Sequence, residues 1–226
     1  MFSFLFLLAC QSESTDPQTN TPAASQKNET VHTAKKEKTE EKKSAVPEYF
    51  EVLMKTTKGD IVLEVHRDWA PLGVSRFYDM VEGGFFNDGI AIFRGVPNFV
   101  VQFGIHGDPS ISKGWKEKRI QDDPVKESNL KGYLTFATAG KNTRTTQIFI
   151  SLNNNERLNS MGFSPFAVVS EKKGGGMAVV EQFYTGYGDR RGPDQGRIQR
   201  EGNSYLKEGF PKLDYIQSAR ICADDC

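Results

Sequence analysis

The chain has few of the residues that staple or metallate small proteins: three cysteines, three histidines and two tryptophans among 226 residues. Cys10, Cys222 and Cys226 lie near the ends, outside the apolar part of the sequence. There is no Cys-x-x-Cys pair, and His32, His66 and His106 stand far apart, so a zinc site is not expected and no other metal or cofactor is implied. Cys222 and Cys226 leave two readings open, a disulfide formed in an oxidising compartment or a loose tail. Charge of one sign is also lacking. Lys+Arg and Asp+Glu both number 29, for a net charge of zero, which argues against nucleic acid as a partner. Long apolar runs are missing too. Residues 2–9 would reach only about 12–15 Å as a helix, against a hydrocarbon layer of about 30 Å.

That short run, Met1-Phe-Ser-Phe-Leu-Phe-Leu-Leu-Ala-Cys10, has the character of a signal-peptide apolar region. Leu7-Leu8-Ala9-Cys10 resembles the bacterial lipobox, whose cysteine thiol receives a diacylglyceryl group. The resemblance implies a leader over residues 1–10 and lipid attachment at Cys10. The rest of the chain would then be anchored to a bacterial membrane in the cell envelope, outside the cytoplasm. No Lys or Arg precedes the run, which departs from the usual leader; an apolar tail with a free thiol is the alternative. Residues 11–46 are polar, rich in Ser, Thr, Gln, Lys and Glu, and offer too little apolar surface to offset ordering entropy. They read as a disordered tether.

After Pro47 the pattern changes. Tyr49 to Thr56 and Ile61 to His66 are β-rich runs flanking a Lys58-Gly59-Asp60 turn, as in a hairpin. Pro71 opens a helix with Val74, Phe77, Tyr78 and Val81 on one face, and Gly83-Gly84 closes it. Strand signals return at residues 90–94, 99–103, 133–136, 147–150 and 166–169, with a second short helix expected over 177–184. The pattern predicts a mainly β fold, a barrel with two helical caps, and leaves strand order open. Residues 47–185 form the expected domain. Residues 186–226 form a C-terminal extension packing on it and ending in a loose tail, with 211–220 expected to be helical because Leu213, Ile216 and Ala219 recur at helical spacing.

Two segments stand out. The first is Phe93-Arg94-Gly95-Val96-Pro97-Asn98-Phe99-Val100-Val101-Gln102-Phe103-Gly104. The second runs from Leu134 to Ile150 and holds Ala137-Thr138-Ala139-Gly140-Lys141-Asn142 and Gln147-Ile148-Phe149. Together, in this order, they resemble the signature of the cyclophilin-type peptidyl-prolyl cis-trans isomerases. The resemblance covers about Tyr49 to Tyr184 and implies a closed antiparallel β-barrel of about eight strands capped by two helices. It also implies that the chain accelerates rotation about X–Pro peptide bonds in proline-containing polypeptides, assisting folding without a cofactor. Position by position, Arg94 matches the family's catalytic arginine and Gln102 the glutamine that binds substrate backbone. Phe99, Phe149 and Leu158 match the walls of the proline pocket. Ala137 and Thr138 match the edge that pairs with the peptide, and Gln147 supports it. Phe163 or Ser164 falls nearest a histidine position of the family, and Phe163 is taken as substrate-binding.

These residue types suit the chemistry. An X–Pro bond turns slowly because resonance stiffens the C–N bond, with a barrier of about 18–20 kcal/mol. No bond breaks, so no nucleophile or base is required. A guanidinium beside the prolyl nitrogen can donate to the lone pair that appears when resonance is lost, favouring the twisted state over either planar one.

The chain departs from the family where Arg157, Thr138 and Phe93 replace a frequent Trp, Asn and His. Weak cyclosporin inhibition follows from the first, little loss from the second, and a changed substrate preference from the third. The competing reading is a binding module that holds Pro-containing segments as a chaperone or scaffold with little turnover, which would need the pocket but not Arg94. A monomer is the default. Gly174-Gly175-Gly176 lacks the Lys-Ser/Thr of a phosphate loop and reads as a turn.

Overall fold

A computed structural model describes residues 45–223 and 226. The expected hairpin forms from β1 (Tyr49–Thr56) and β2 (Gly59–His66), with Thr56 paired to Gly59 across the turn. Next come α1 (Pro71–Glu82), β3 (Ile90–Ala91), β4 (Arg94–Val96), β5 (Val100–Phe103) and α2 (Pro109–Lys116). Then follow β6 (Tyr133–Phe136), β7 (Ile148–Ser151), β8 (Pro165–Gly174), α3 (Gly176–Val180), α4 (Gln195–Gly209) and β9 (Tyr215–Ile221), with a 3-10 turn, Glu156–Met161, between β7 and β8. The nine strands form one antiparallel sheet in the order β3-β9-β1-β2-β8-β6-β7-β5-β4. Its two edge strands, β3 and β4, are successive pieces of one extended segment. Ile90 and Ala91 pair with β9, and Arg94 to Val96 pair with β5. The sheet therefore curls until one short segment serves both edges, which leaves no long exposed edge.

Helix α1 lays Val74, Phe77, Tyr78 and Val81 on the core, as its periodicity predicts. Its N-cap, Ala70, offers no side-chain acceptor. The orphan N–H groups of Leu72 and Gly73 donate instead to the two oxygens of Asp123, each at 2.9 Å, and Arg144 Nη2 in turn reaches Asp123 at 2.9 Å. This buried ion pair acts as a cap supplied from another part of the chain. Phe166 packs in the core between Phe77 and Phe136, its ring centroid 5.1 Å from the first and 5.0 Å from the second.

Two sequence expectations are corrected. Residues 211–220 are not a helix: Tyr215–Ile221 is a strand between β1 and β3. The three-residue spacing of Ile216 and Ala219 that imitates a helix comes from a bulge. Thr56 pairs with Ile216 and Lys55 with Ser218, so Gln217 is an extra residue that turns both apolar side chains to the core. The second helix is also shorter than expected, Gly176–Val180, and α2 and α4 are further helices. Cys222 and Cys226 are joined by a disulfide. Cys10 and residues 11–44 of the expected 11–46 tether lie outside the described residues. No helix among the described residues is long and apolar enough to cross a membrane.

Candidate active site

Strand β5 is buried on both faces, which is why it is apolar except at Gln102. Val101 and Phe103 point into the main core with Ile148 and Ile150 of β7. Val100 points the other way and joins Phe149 and Leu158 in a separate outer cluster edged by Phe99, Ala137 and Phe163. Gln102 shares that outer face, because residues two apart on a strand face alike. It lies opposite Arg94 on β4 and opposite Phe149 on β7. Strand pairing thus sets Arg94, Gln102 and Phe149 side by side. They line a cleft of about 230 Å³ together with Phe99, Leu158 and Phe163; Ala137 and Thr138 form another part of its wall. A smaller depression of about 130 Å³ shares Ala137 and Thr138 and contains Gln147 and Gln195.

The cleft has one polar arm. Arg94 Nη1 donates to Gln102 Oε1 at 3.1 Å, and Gln102 Nε2 donates to Gln147 Oε1 at 2.7 Å. Arg94 Nε donates to Asp189 Oδ1 at 2.5 Å. The Arg94 side chain remains 25% exposed, so it is anchored yet open to the cleft. The guanidinium carbon lies 5.9 Å from the Phe99 ring centroid, and that of Arg157 lies 4.7 Å from the same ring. The replacement at Arg157 therefore stacks on a cleft wall rather than leaving a gap.

Buried Asn129 holds the far wall in place. Its Nδ2 donates to the Phe163 carbonyl at 2.8 Å and to Asn159 Oδ1 at 2.9 Å, while its Oδ1 accepts from Thr135 Oγ1 at 2.9 Å. Its backbone carbonyl accepts from Asn155 N–H at 2.7 Å. The 3-10 turn bearing Leu158 is thereby tied to β6. Across the cleft, the Thr138 hydroxyl bonds Gly140 O and Thr143 Oγ1, turning the side chain into its own loop. Asn142, at φ 57°, shapes that loop and exchanges hydrogen bonds with Asp122. Gln147 supports the cleft by bonding Gln102 and through its carbonyl, which accepts from Ala137 N–H at 2.9 Å.

Arg94, Phe99, Gln102, Ala137, Thr138, Phe149, Leu158 and Phe163 therefore line one cleft. Phe93 does not join them. It is 2% exposed and sits in a second apolar cluster with Ile198, Leu206 and Leu213, edged by Tyr187 and Phe210. The expectation that it tunes substrate preference from the cleft rim is corrected: it packs beneath the C-terminal helix α4, away from the arginine beside it. Asp189 and Asn129 were not legible as site residues, since a lone Asp in a Gly/Arg-rich stretch and a lone Asn carry no pattern. Met161, 63% exposed at the cleft, was also missed. Among the described residues, no three His, Cys, Asp or Glu side chains gather as a metal-ligand set.

Comparison with known proteins points the same way. The family model described as cyclophilin type peptidyl-prolyl cis-trans isomerase matches residues 51–202. Peptidyl-prolyl cis-trans isomerase A of Dickeya dadantii is 32% identical over 155 residues, covering 64% of this chain and 76% of that protein. A Streptococcus pyogenes protein named for both phosphatase and peptidyl-prolyl cis-trans isomerase functions is 29% identical over 185 residues; the match covers 77% of this chain but only 35% of that protein. The chain likewise spans just 17% of a Gibberella zeae protein named peptidyl-prolyl cis-trans isomerase-like 2. Among solved structures, a Cryptosporidium parvum cyclophilin type isomerase superposes with a TM-score of 0.58 at 18% identity, covering 78% of this chain and 99% of its own, and so shares the fold. This chain belongs to the cyclophilin-type peptidyl-prolyl cis-trans isomerase family.

Proposed function

We propose that this chain accelerates cis–trans rotation about X–Pro bonds in polypeptides, with Arg94 as the group that acts on the prolyl nitrogen. The observation that carries this reading is the position of Arg94 on the wall of an apolar cleft, held through two of its nitrogens by Gln102 and Asp189. Phe99, Phe149, Leu158 and Phe163 bury the proline ring. Gln102, Ala137 and Thr138 hold the peptide backbone on either side of it. As the carbonyl before proline rotates, resonance is lost and the nitrogen lone pair becomes an acceptor. Arg94 Nη2, which has no partner among the described residues, donates to it. Because this bond forms only in the twisted state, it lowers the barrier rather than deepening the ground state. Arginine suits the role, since it stays charged at all working pH and its fork is rigid.

The test is magnetisation exchange between the cis and trans signals of a short Ala-Pro-containing peptide mixed with the chain. Exchange well above the peptide's own rate supports isomerisation. Binding without faster exchange would favour the chaperone or scaffold reading.

We further propose that Cys10 carries a lipid anchor, that residues 11–46 tether the domain to a bacterial envelope membrane outside the cytoplasm, and that the protein works as a single chain. Support comes from the Leu7-Leu8-Ala9-Cys10 motif and the polar composition that follows it. Detergent partitioning of wild type against Cys10→Ser checks the anchor. The variant should move to the aqueous phase, and an unchanged partition would refute it.

A further inference from the structure

The segment after α3 meets the arginine strand at Arg94 and Gly95 and packs on the apolar cluster that holds Phe93. Gly95 faces Thr185, and a Cβ on Gly95 would lie 2.8 Å from Thr185 Cγ2. Phe93 shares its apolar cluster with Tyr187. Arg94, between them, donates its Nε–H to Asp189. Two glycines shape the turn that presents this carboxylate. Gly188 adopts φ 65° and donates to Thr185 O at 3.0 Å, and a Cβ on Gly192 would lie 2.8 Å from Gly188 O. Beyond Gly192, α4 is anchored through its kink at Gly202, where Asn203 N–H donates to Gly107 O at 2.9 Å and Asn203 Nδ2 to Gly89 O at 3.0 Å. Asp189 is therefore delivered by a braced segment rather than by a free loop.

We infer that Asp189 is a positioning residue for Arg94. A guanidinium on a flexible stem has many rotamers, and only some direct an Nη group into the cleft. Gln102 holds Nη1 from one side and Asp189 holds Nε from the other, which fixes the plane of the fork and leaves Nη2 for the substrate. The Asp189 side chain is 59% exposed, so the pair adds little to stability. Its consequence is orientation, and small misplacements of a reacting group cost large factors in rate.

The kinetic part of the test rests on the isomerase reading above; a spectroscopic part does not. In the full chain, Asp189→Ala should lower kcat on a short X–Pro peptide about tenfold, with KM and thermal melting little changed. Asp189→Glu should restore most of the rate. In an Arg94→Ala background, Asp189→Ala should cost nothing further. In 15N-labelled protein, the Arg94 Nε–H signal, identified by its loss in Arg94→Ala, should be protected from solvent exchange in wild type and exposed in Asp189→Ala. The inference is overturned if Asp189→Ala keeps wild-type kcat, if it raises the rate, if it costs as much without Arg94, or if Nε–H protection is unchanged. A wild-type chain with no turnover would sink the isomerase reading, and Nε–H protection would still decide whether Asp189 orients Arg94.

Discussion

Gly95 and Thr185 are in closer contact than any side chain on Gly95 would allow: an added Cβ would lie 2.8 Å from Thr185 Cγ2 and 2.9 Å from its Cα. One of those neighbours is backbone, so the clash cannot be relieved by a rotamer change. Gly95→Val should push the 185–192 segment off β4, costing about 1–3 kcal/mol of stability and reducing isomerase activity. Thermal melting and kcat/KM would check this. Retained stability and rate would show that the contact is not needed.

Phe93 carries a second prediction. Because it is buried beneath α4, Phe93→Ala should destabilise by about 3–5 kcal/mol. Phe93→His, which restores a residue frequent in the family, should also destabilise here, since it places a polar ring in an apolar cluster. Urea unfolding measures both. A stable Phe93→His protein with altered peptide preference would return Phe93 to the cleft.

Asn129 is the third. Replacing it with Ala strips the side-chain partners from Phe163 O and Thr135 Oγ1, while Asn159 Oδ1 loses one of its two donors and keeps the backbone N–H of residue 129 at 3.0 Å. Each buried polar group left unpaired costs about 1–3 kcal/mol. Stability should fall, and KM should rise because the wall bearing Leu158 and Phe163 loosens. Peptide titration against denaturant unfolding separates the two effects.

His106 predicts a pH dependence. Burial pushes its imidazolium below the ordinary value of 6.5, against the opposing pull of Asp88 and Asp108. Its Nδ1 accepts the Asp108 N–H at 2.9 Å, a bond that requires the neutral ring. The folded state thus binds this proton less readily than the unfolded chain. Stability is full above about pH 6.5 and falls as the pH drops from there to the depressed folded value. Melting temperature should decline over that window, and less steeply in His106→Gln. Identical slopes would contradict the assignment.

The parts of the molecule legible in the sequence are those where one local pattern decides the outcome. The hairpin followed from its turn and flanking β-rich runs, and α1 from its periodicity and Pro71. The cleft was legible because Gln102 interrupts an apolar strand and because Arg94, Phe99 and Phe149 resemble a known arrangement. What stayed hidden depends on distant pairing. Ile216 and Ala219 imitate a helix because of a bulge opposite Lys55 and Thr56. Helix α4 has Gly202 in its middle and only Ile198, Gly202 and Leu206 buried, so its apolar stripe is thin. Phe93 reads as a neighbour of the site, yet strand geometry sends it into another core. Asp189 meets Arg94 across 95 positions of sequence, and nothing local marks it.

The most direct test of the central claim is the cis–trans exchange rate of one X–Pro peptide with wild type and with Arg94→Ala at equal peptide occupancy. The account predicts a loss of about 100-fold, the scale of removing one preorganised donor, with peptide affinity changed far less. Equal rates at equal occupancy would contradict it.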